Sequence, residues 1–343
     1  MTFLNRIAKY ALLITIVMLV VTISACLTIN RDPVTPPHID PLQTNLTLPD
    51  PVHVFPFEQA IITISSPVDS SVYAGAKAAD KETIIRGNIS SEVWIQDTYL
   101  AMIHDPNQEQ FYTHLISAMR TIRDKENLND DEYLELMTVL VQSIRYETST
   151  ENPPKFPVET YVDKSGDCDD KSLLLAGLLS REGYNVSLLS FTPESHMAVG
   201  VVCPEGEYRQ TGYTYIETTN FSFVGVAPET LNGGIGINSD PLVIHVGNGT
   251  KTFGSCSESL YLNSVYKSSE QNVKDLTVRI DTLMTEMDGY YAKRDANNYN
   301  QRVPIFNDLQ RKRLQFAEVH NYILQHQFDR KGAGQYVKAN LPT

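Results

Sequence analysis

The feature that most constrains this chain is a change of apolar period along its length. From about Ser90 to Tyr146 apolar residues recur at three- and four-residue steps. From Val186 to Thr219 they gather into short β-branched or aromatic runs, and from Val273 onward they return to helical spacing. Helices segregated from strands in this way predict an α+β fold rather than alternating βαβ units.

Within the first helical region, "NISSEVWIQDTYLAMIHD" opens with capping residues and carries Trp94, Tyr99 and Met102 on one stripe. Phe111, Leu115, Met119 and Ile122 repeat in the next segment. Tyr133, Leu136, Leu140 and Ile144 repeat in a third, which begins with the acidic first turn expected of a helix N-terminus. "ENPPKFP" ends this helical run. Three strands follow the cysteine region, over Val186–Thr192, His196–Cys203 and Tyr213–Thr219, and Leu242–Val246 can add a fourth. The Gly-rich "APETLNGGIGINSDP" between them reads as a loop. In the tail, Val273, Leu276, Ile280, Leu283, Met287 and Tyr290 keep coiled-coil spacing, continued by Leu309, Phe316 and Ile323 after a break at "DANNYNQRVP". This predicts a long antiparallel helical pair packed on the body.

Ahead of the body, Arg6 and Lys9 precede an uncharged apolar run from Ala11 to Ile29. That run fits a signal peptide ending at "ISAC", with Cys26 as a lipidation site, and fits equally an uncleaved membrane anchor. Either places the body on the extracytoplasmic side of the cell membrane. Residues 30–56 hold seven of the chain's 18 prolines and read as an extended tether that lifts the body off the membrane. The expected organisation is therefore 1–29 signal or anchor, 30–56 linker, 57–135 helical subdomain, 136–260 a core around the cysteine region, and 261–343 helical hairpin. The chain holds 28 basic and 41 acidic residues, a formal −13, with no basic cluster, which argues against nucleic acid as a partner. Four cysteines, Cys26, Cys168, Cys203 and Cys256, make no disulfide scaffold. Cys203 and Cys256 can pair outside the cell or lie as two buried thiols, and the second is the expectation carried forward.

Cys168 stands apart, in "KSGDCDDKSLLLAGLLSREGY". Gly166 supplies a tight approach and Asp167 or Ser165 a cap, so Cys168 falls on the first turn of a buried helix. Unpaired backbone N–H groups there favour a thiolate and can receive an oxyanion. Asp167, Asp169 and Asp170 oppose ionisation, so an imidazolium partner is required. His196 begins the second strand, and Glu217 lies in the third. An antiparallel hairpin turning in "CPEGEYR" sets His196 opposite Glu217, Ala198 opposite Tyr215 and Gly200 opposite Tyr213. A carboxylate beside the ring would fix its tautomer and stabilise its charged form.

"GDCDDKSLLLAGLL", "HMAVGV" and "YIETT", with "VQSIRY" and "FPVET" upstream, resemble the transglutaminase-like superfamily, which shares the papain-type core. The resemblance spans about Leu136 to Asn220. It implies Cys168 as thiol nucleophile, His196 as base and Glu217 as the orienting acid, where aspartate is the commoner third member. It also offers Gln142, in "VQS", as an oxyanion donor. The expected activity is a thioester-forming cysteine enzyme acting on protein or peptide substrates, with hydrolysis preferred over transfer to an amine. No cofactor and no metal are implied. The competing readings are a non-catalytic surface adhesion module on the same fold and a relative of peptide N-glycanase.

Overall fold

The computed structural model describes residues 33–45, 47–148, 153–231 and 234–342. The apolar run, Cys26 and the start of the linker lie outside the described residues, within which no helix is long and apolar enough to cross a membrane.

The chain enters through β1 (Val34–Thr35), followed by a hairpin of β2 (Val52–Phe57) and β3 (Ala60–Ser65). Next come α1 (Ser70–Ala78), β4 (Ile84–Ile85), α2 (Ser91–Ile103), α3 (Glu109–Glu126) and α4 (Asp130–Ser143). The three helices expected from the period are α2 to α4; the β2–β3 hairpin was not foreseen. Its alternate residues Phe55, Phe57, Ile62 and Ile64 are buried, which is the period-two pattern in a segment that begins inside the expected linker.

β5 (Arg145–Tyr146), α5 (Pro157–Asp163) and β6 (Ser165–Gly166) lead into α6 (Cys168–Arg181). β7 (Asn185–Phe191), β8 (His196–Val201), β9 (Thr214–Ile216) and β10 (Leu242–Asn248) form one antiparallel sheet in the order β10-β7-β8-β9. α6 packs between this sheet and the helices, so that Leu173, Leu174, Ala176, Leu178 and Leu179 are all fully buried. Gly177 lets α3 approach closely, since a Cβ there would fall 2.1 Å from the Tyr112 hydroxyl. The tail comprises α7 (Cys256–Ala292), α8 (Ala296–Gln325) and α9 (Arg330–Asn340). Leu276, Ile280, Leu283, Met287 and Leu309 form the seam of the α7–α8 pair. The expected break at "DANNYNQRVP" is shorter than the composition suggested. α8 starts at Ala296 and contains Pro304 at its ninth position, where one intrahelical hydrogen bond is lost.

Three expectations need correction. First, the linker is extended but does not lift the body away. β1 pairs with β4, Ile39 is fully buried with its N–H donating to Asp105, and the Leu42 N–H donates to the Ser71 carbonyl. Buried apolar side chains and ladder hydrogen bonds outweigh the composition's preference for a free tether. Second, one continuous core runs from Ile39 to Cys256, and the expected boundary at 135/136 falls inside α4. α4 packs against α6 while Arg330 and Lys331 of α9 bind its Glu135 and Glu132, so it belongs to all three expected units. Third, Cys203 and Cys256 form a disulfide that joins the exit of β8 to the first residue of α7. Both sulfurs are buried, and the Gly206 turn folds over Cys256.

Candidate functional site

The N-terminus of α6 is built as the sequence suggests. Asp167 is the cap, its carboxylate accepting from the Asp169 and Asp170 N–H groups, while Asp170 accepts from the Asp167 N–H in return. Asp170 also accepts from the Lys155 N–H at 2.6 Å, and burial raises it to about 7. Lys171 does not pair with these aspartates. It points into the core, donating to the carbonyls of Gln142, Ile144 and Thr219, and desolvation lowers it to about 8.

Cys168 is the free thiol among the described residues and is 7% exposed at the floor of a cleft of about 830 Å³. His196, Phe191, Ser195, Trp94 and Tyr99 line the same cleft. The single S–H has Asp169 Oδ1 at 3.5 Å and the Ser195 carbonyl oxygen at 3.9 Å as alternative acceptors, rather than the imidazole. Ser195, in the left-handed region at φ +49°, turns this carbonyl toward the sulfur just before β8 begins. Burial pushes the thiol well above its ordinary range, and Asp169 adds to this, whereas a Met197 backbone N–H facing the sulfur opposes it. Asp169 is in turn held by the Tyr99 hydroxyl at 2.8 Å. Burial and Asp169 together therefore favour the protonated thiol over the thiolate. The oxygens of Asp167 and Asp169 and the sulfur lie within 4.8 Å of one another, and the cap and the Tyr99 bond account for that clustering.

The imidazole and the carboxylate come together with one difference from the expected register. β8 and β9 pair Val199 with Ile216, Gly200 with Tyr215 and Val201 with Thr214, two positions away from the expected alignment. The turn is longer, closed by the Tyr208 N–H on the Tyr213 carbonyl, with Arg209 and Gln210 left-handed. A shift of two preserves the face, so His196, Tyr215 and Glu217 still point the same way. It places a tyrosine where direct contact was expected. The Tyr215 hydroxyl donates to Glu217 Oε2 at 3.0 Å and lies 2.8 Å from His196 Nε2, whereas His196 Nε2 and Glu217 Oε2 are 3.7 Å apart. With its one proton committed to Glu217, the tyrosine oxygen accepts from Nε2–H. This tautomer leaves Nδ1 as the unprotonated ring nitrogen. Burial lowers the ring's basicity, and Glu217 acts in the opposite direction. Glu217 is fixed by the N–H groups of Thr218 and Thr219 and by the Thr219 hydroxyl, all on Oε1.

Gln142 is not an oxyanion donor. It is buried, its amide donates to the Glu217 and Ser222 carbonyls, and it lines neither cleft, so both protons are spent on holding the segment after β9. Tyr215, which the expected register set opposite Ala198, is the contact to His196 that sequence reasoning missed. The alternation Tyr213, Tyr215, Glu217 was the available signal, since it puts the tyrosines on the glutamate's face.

A second cleft, of about 630 Å³, meets the first along Tyr146, Thr148, Ser195 and His196. Its walls come from Glu217 to Ser222, from the Gly-rich loop at Val226–Leu231, and from Asn263, Tyr266 and Lys267 on α7. Glu194 holds that loop by accepting from the Asn238 and Ser239 N–H groups. The tail helix thus forms part of the cleft as well as packing on the body.

Comparison with known proteins returned no matching family model, no matching curated protein and no matching solved structure.

Proposed function

We propose that the protein is a transglutaminase-like cysteine enzyme with a papain-type arrangement, anchored at the extracytoplasmic face of the cell membrane, that hydrolyses peptide or amide bonds. The observation that carries this reading is the chain His196–Tyr215–Glu217 beside a cysteine at a helix N-terminus, with Cys168 and His196 lining one cleft. A hydrogen-bonded carboxyl group behind an imidazole, with the other ring nitrogen free, is what a thiol nucleophile needs from its base.

With substrate bound, His196 Nδ1 takes the Cys168 proton as the sulfur attacks the carbonyl carbon. Glu217, through Tyr215, stabilises the imidazolium. The Cys168 backbone N–H is the first-turn donor that Asp167 does not occupy, and it can receive the oxyanion. The imidazolium then protonates the departing amine, leaving a thioester. Water, deprotonated by His196, attacks that thioester and releases a carboxylic acid and the thiol. An amine in place of water would give transfer. Two clefts meeting at His196 suit an extended polypeptide, with the acyl portion on the Cys168 side and the departing portion on the other.

The test uses p-nitrophenyl acetate, whose acyl group transfers to a thiol without a substrate-specific pocket. Intact mass should show acetylation that is absent in Cys168→Ala and slowed in His196→Ala. A dansylated amine with a glutamine-rich protein then separates transfer from hydrolysis. Equal acetylation of wild type and Cys168→Ala would remove the reading. The high proton affinity of the resting thiol favours the alternative, a binding module on the same fold. That alternative expects no acylation at all.

A further inference from the structure

We propose that the apolar rim beside the Cys168 cleft, formed by the exposed Ile84, Ile85 and Val93 with the half-buried Trp94, rests on the lipid surface to which the chain is fixed. The rim is unusual for its composition. Between Thr83 and Ile95 the only charged residues are Arg86 and Glu92, which cancel, in a chain whose formal charge is −13. Ile84, Ile85 and Val93 are 50%, 41% and 48% exposed. Ile85 and Trp94 line the cleft, whereas Ile84 and Val93 do not, so a substrate lying in the cleft would leave those two uncovered. Exposed apolar side chains grouped at one end of a cleft mark a contact.

The occupant follows from where the chain enters. β1 pairs with β4 through Val34 with Ile85 and Thr35 with Ile84, and the Arg86 N–H donates to the Pro33 carbonyl while its guanidinium donates to Thr35. The point at which the body receives its tether is therefore the rim itself. The uncharged run ends at Ile29, so five residue steps reach Val34, at most about 18 Å when fully extended. Attachment through a lipid on Cys26 allows about 29 Å over eight steps. Part of either span is used in crossing the headgroup layer. A tether this short raises the effective concentration of the rim at the bilayer, so a weak apolar contact becomes occupied. Tryptophan at such a boundary sits with its ring in the headgroup region. The rim carries no net charge, which points to the apolar–polar boundary of the bilayer rather than to anionic headgroups.

This proposal rests on the membrane attachment given above and is independent of catalysis. If Cys168 is a nucleophile, the cleft would act on polypeptide held close to the bilayer.

The chain contains one tryptophan, Trp94, which is itself the probe. The full chain is reconstituted in phosphatidylcholine vesicles, with or without bromine on the upper acyl chain, and vesicles are floated to measure attachment. The expected result is co-flotation with Trp94 emission roughly halved by brominated lipid. The Ile84→Glu/Val93→Glu double variant should still float but recover most of that emission. Co-flotation without quenching overturns the docking while sparing the attachment. Quenching unchanged in the double variant overturns the role of the rim. Failure to float overturns the attachment, and the docking with it.

Discussion

Replacing Tyr215 by phenylalanine removes one oxygen and nothing else from the site. That oxygen lies 2.8 Å from His196 Nε2 and donates to Glu217 at 3.0 Å, and the 3.7 Å left between ring and carboxylate is too long for a hydrogen bond. The hydroxyl is a stable bridge, because burial first and Glu217 second raise its pKa well above the ordinary tyrosine value. Glu217 keeps its three contacts on Oε1, so the segment around it should hold its place. In the proposed mechanism the loss falls on the imidazolium formed as Cys168 gives up its proton. A hydrogen bond to a charged group contributes about 1.5–3 kcal/mol. That corresponds to a fall in the acylation rate of about 10- to 150-fold.

The assay is the rate of nitrophenolate release from p-nitrophenyl acetate as a function of pH. Tyr215→Phe should lower the plateau and move its acid limb to lower pH, since the substitution disfavours the protonated ring. Loosened packing alone would lower the plateau without moving the limb. Glu217→Gln should shift the limb the same way, and the double variant should cost less than the two single effects combined, because the three residues act as a unit. A plateau within twofold of wild type, or an unmoved limb, would refute the assignment of Tyr215 to the chain.

Asp169 should act in the opposite direction. Its carboxylate adds to the burial that raises the thiol, so Asp169→Asn should speed iodoacetamide alkylation of Cys168 at neutral pH, read against wild type in the folded protein. His53 is stacked on Tyr161, and burial lowers it from 6.5 to about 4. A ring that prefers to be neutral in the folded state contributes its full stability above pH 6.5 and loses it as pH falls toward 4, on the order of 3 kcal/mol in all. Thermal melts across that range should show the loss, and His53→Gln should flatten it. Reducing Cys203–Cys256 opens a loop spanning 53 positions and should cost about 4 kcal/mol by chain entropy, read as a lower urea midpoint with reductant.

The fold was legible wherever period alone decides structure. α2, α3 and α4 and the seam of the tail follow apolar spacing, and β7, β8 and β10 follow short runs between turn residues. The β2–β3 hairpin and the packed tether were not legible because proline composition masked them. In "VHVFPF" the buried residues are the alternate His53, Phe55 and Phe57, and a proline on an isolated two-stranded ribbon interrupts no larger sheet. Domain boundaries failed for a related reason. Composition changes at the ends of α4, but what unites the body is the tertiary contact of α4 with α6 and α9, which no local signal carries.

The site was legible in its face and illegible in its register. Residue parity put His196 and Glu217 on one side of the sheet whatever the turn, since a slip of two leaves parity intact. Turn length set which residue lies directly opposite, and the left-handed pair Arg209 and Gln210 lengthened it in a way the sequence did not announce. The outcome changes the chemistry. Direct contact would make Glu217 the ring's sole partner, whereas the tyrosine carries its influence over a longer path and confines Nε2–H to one orientation. Spacing arguments therefore identify which side chains can share a site before they identify which ones touch. In this chain that difference is a single hydroxyl.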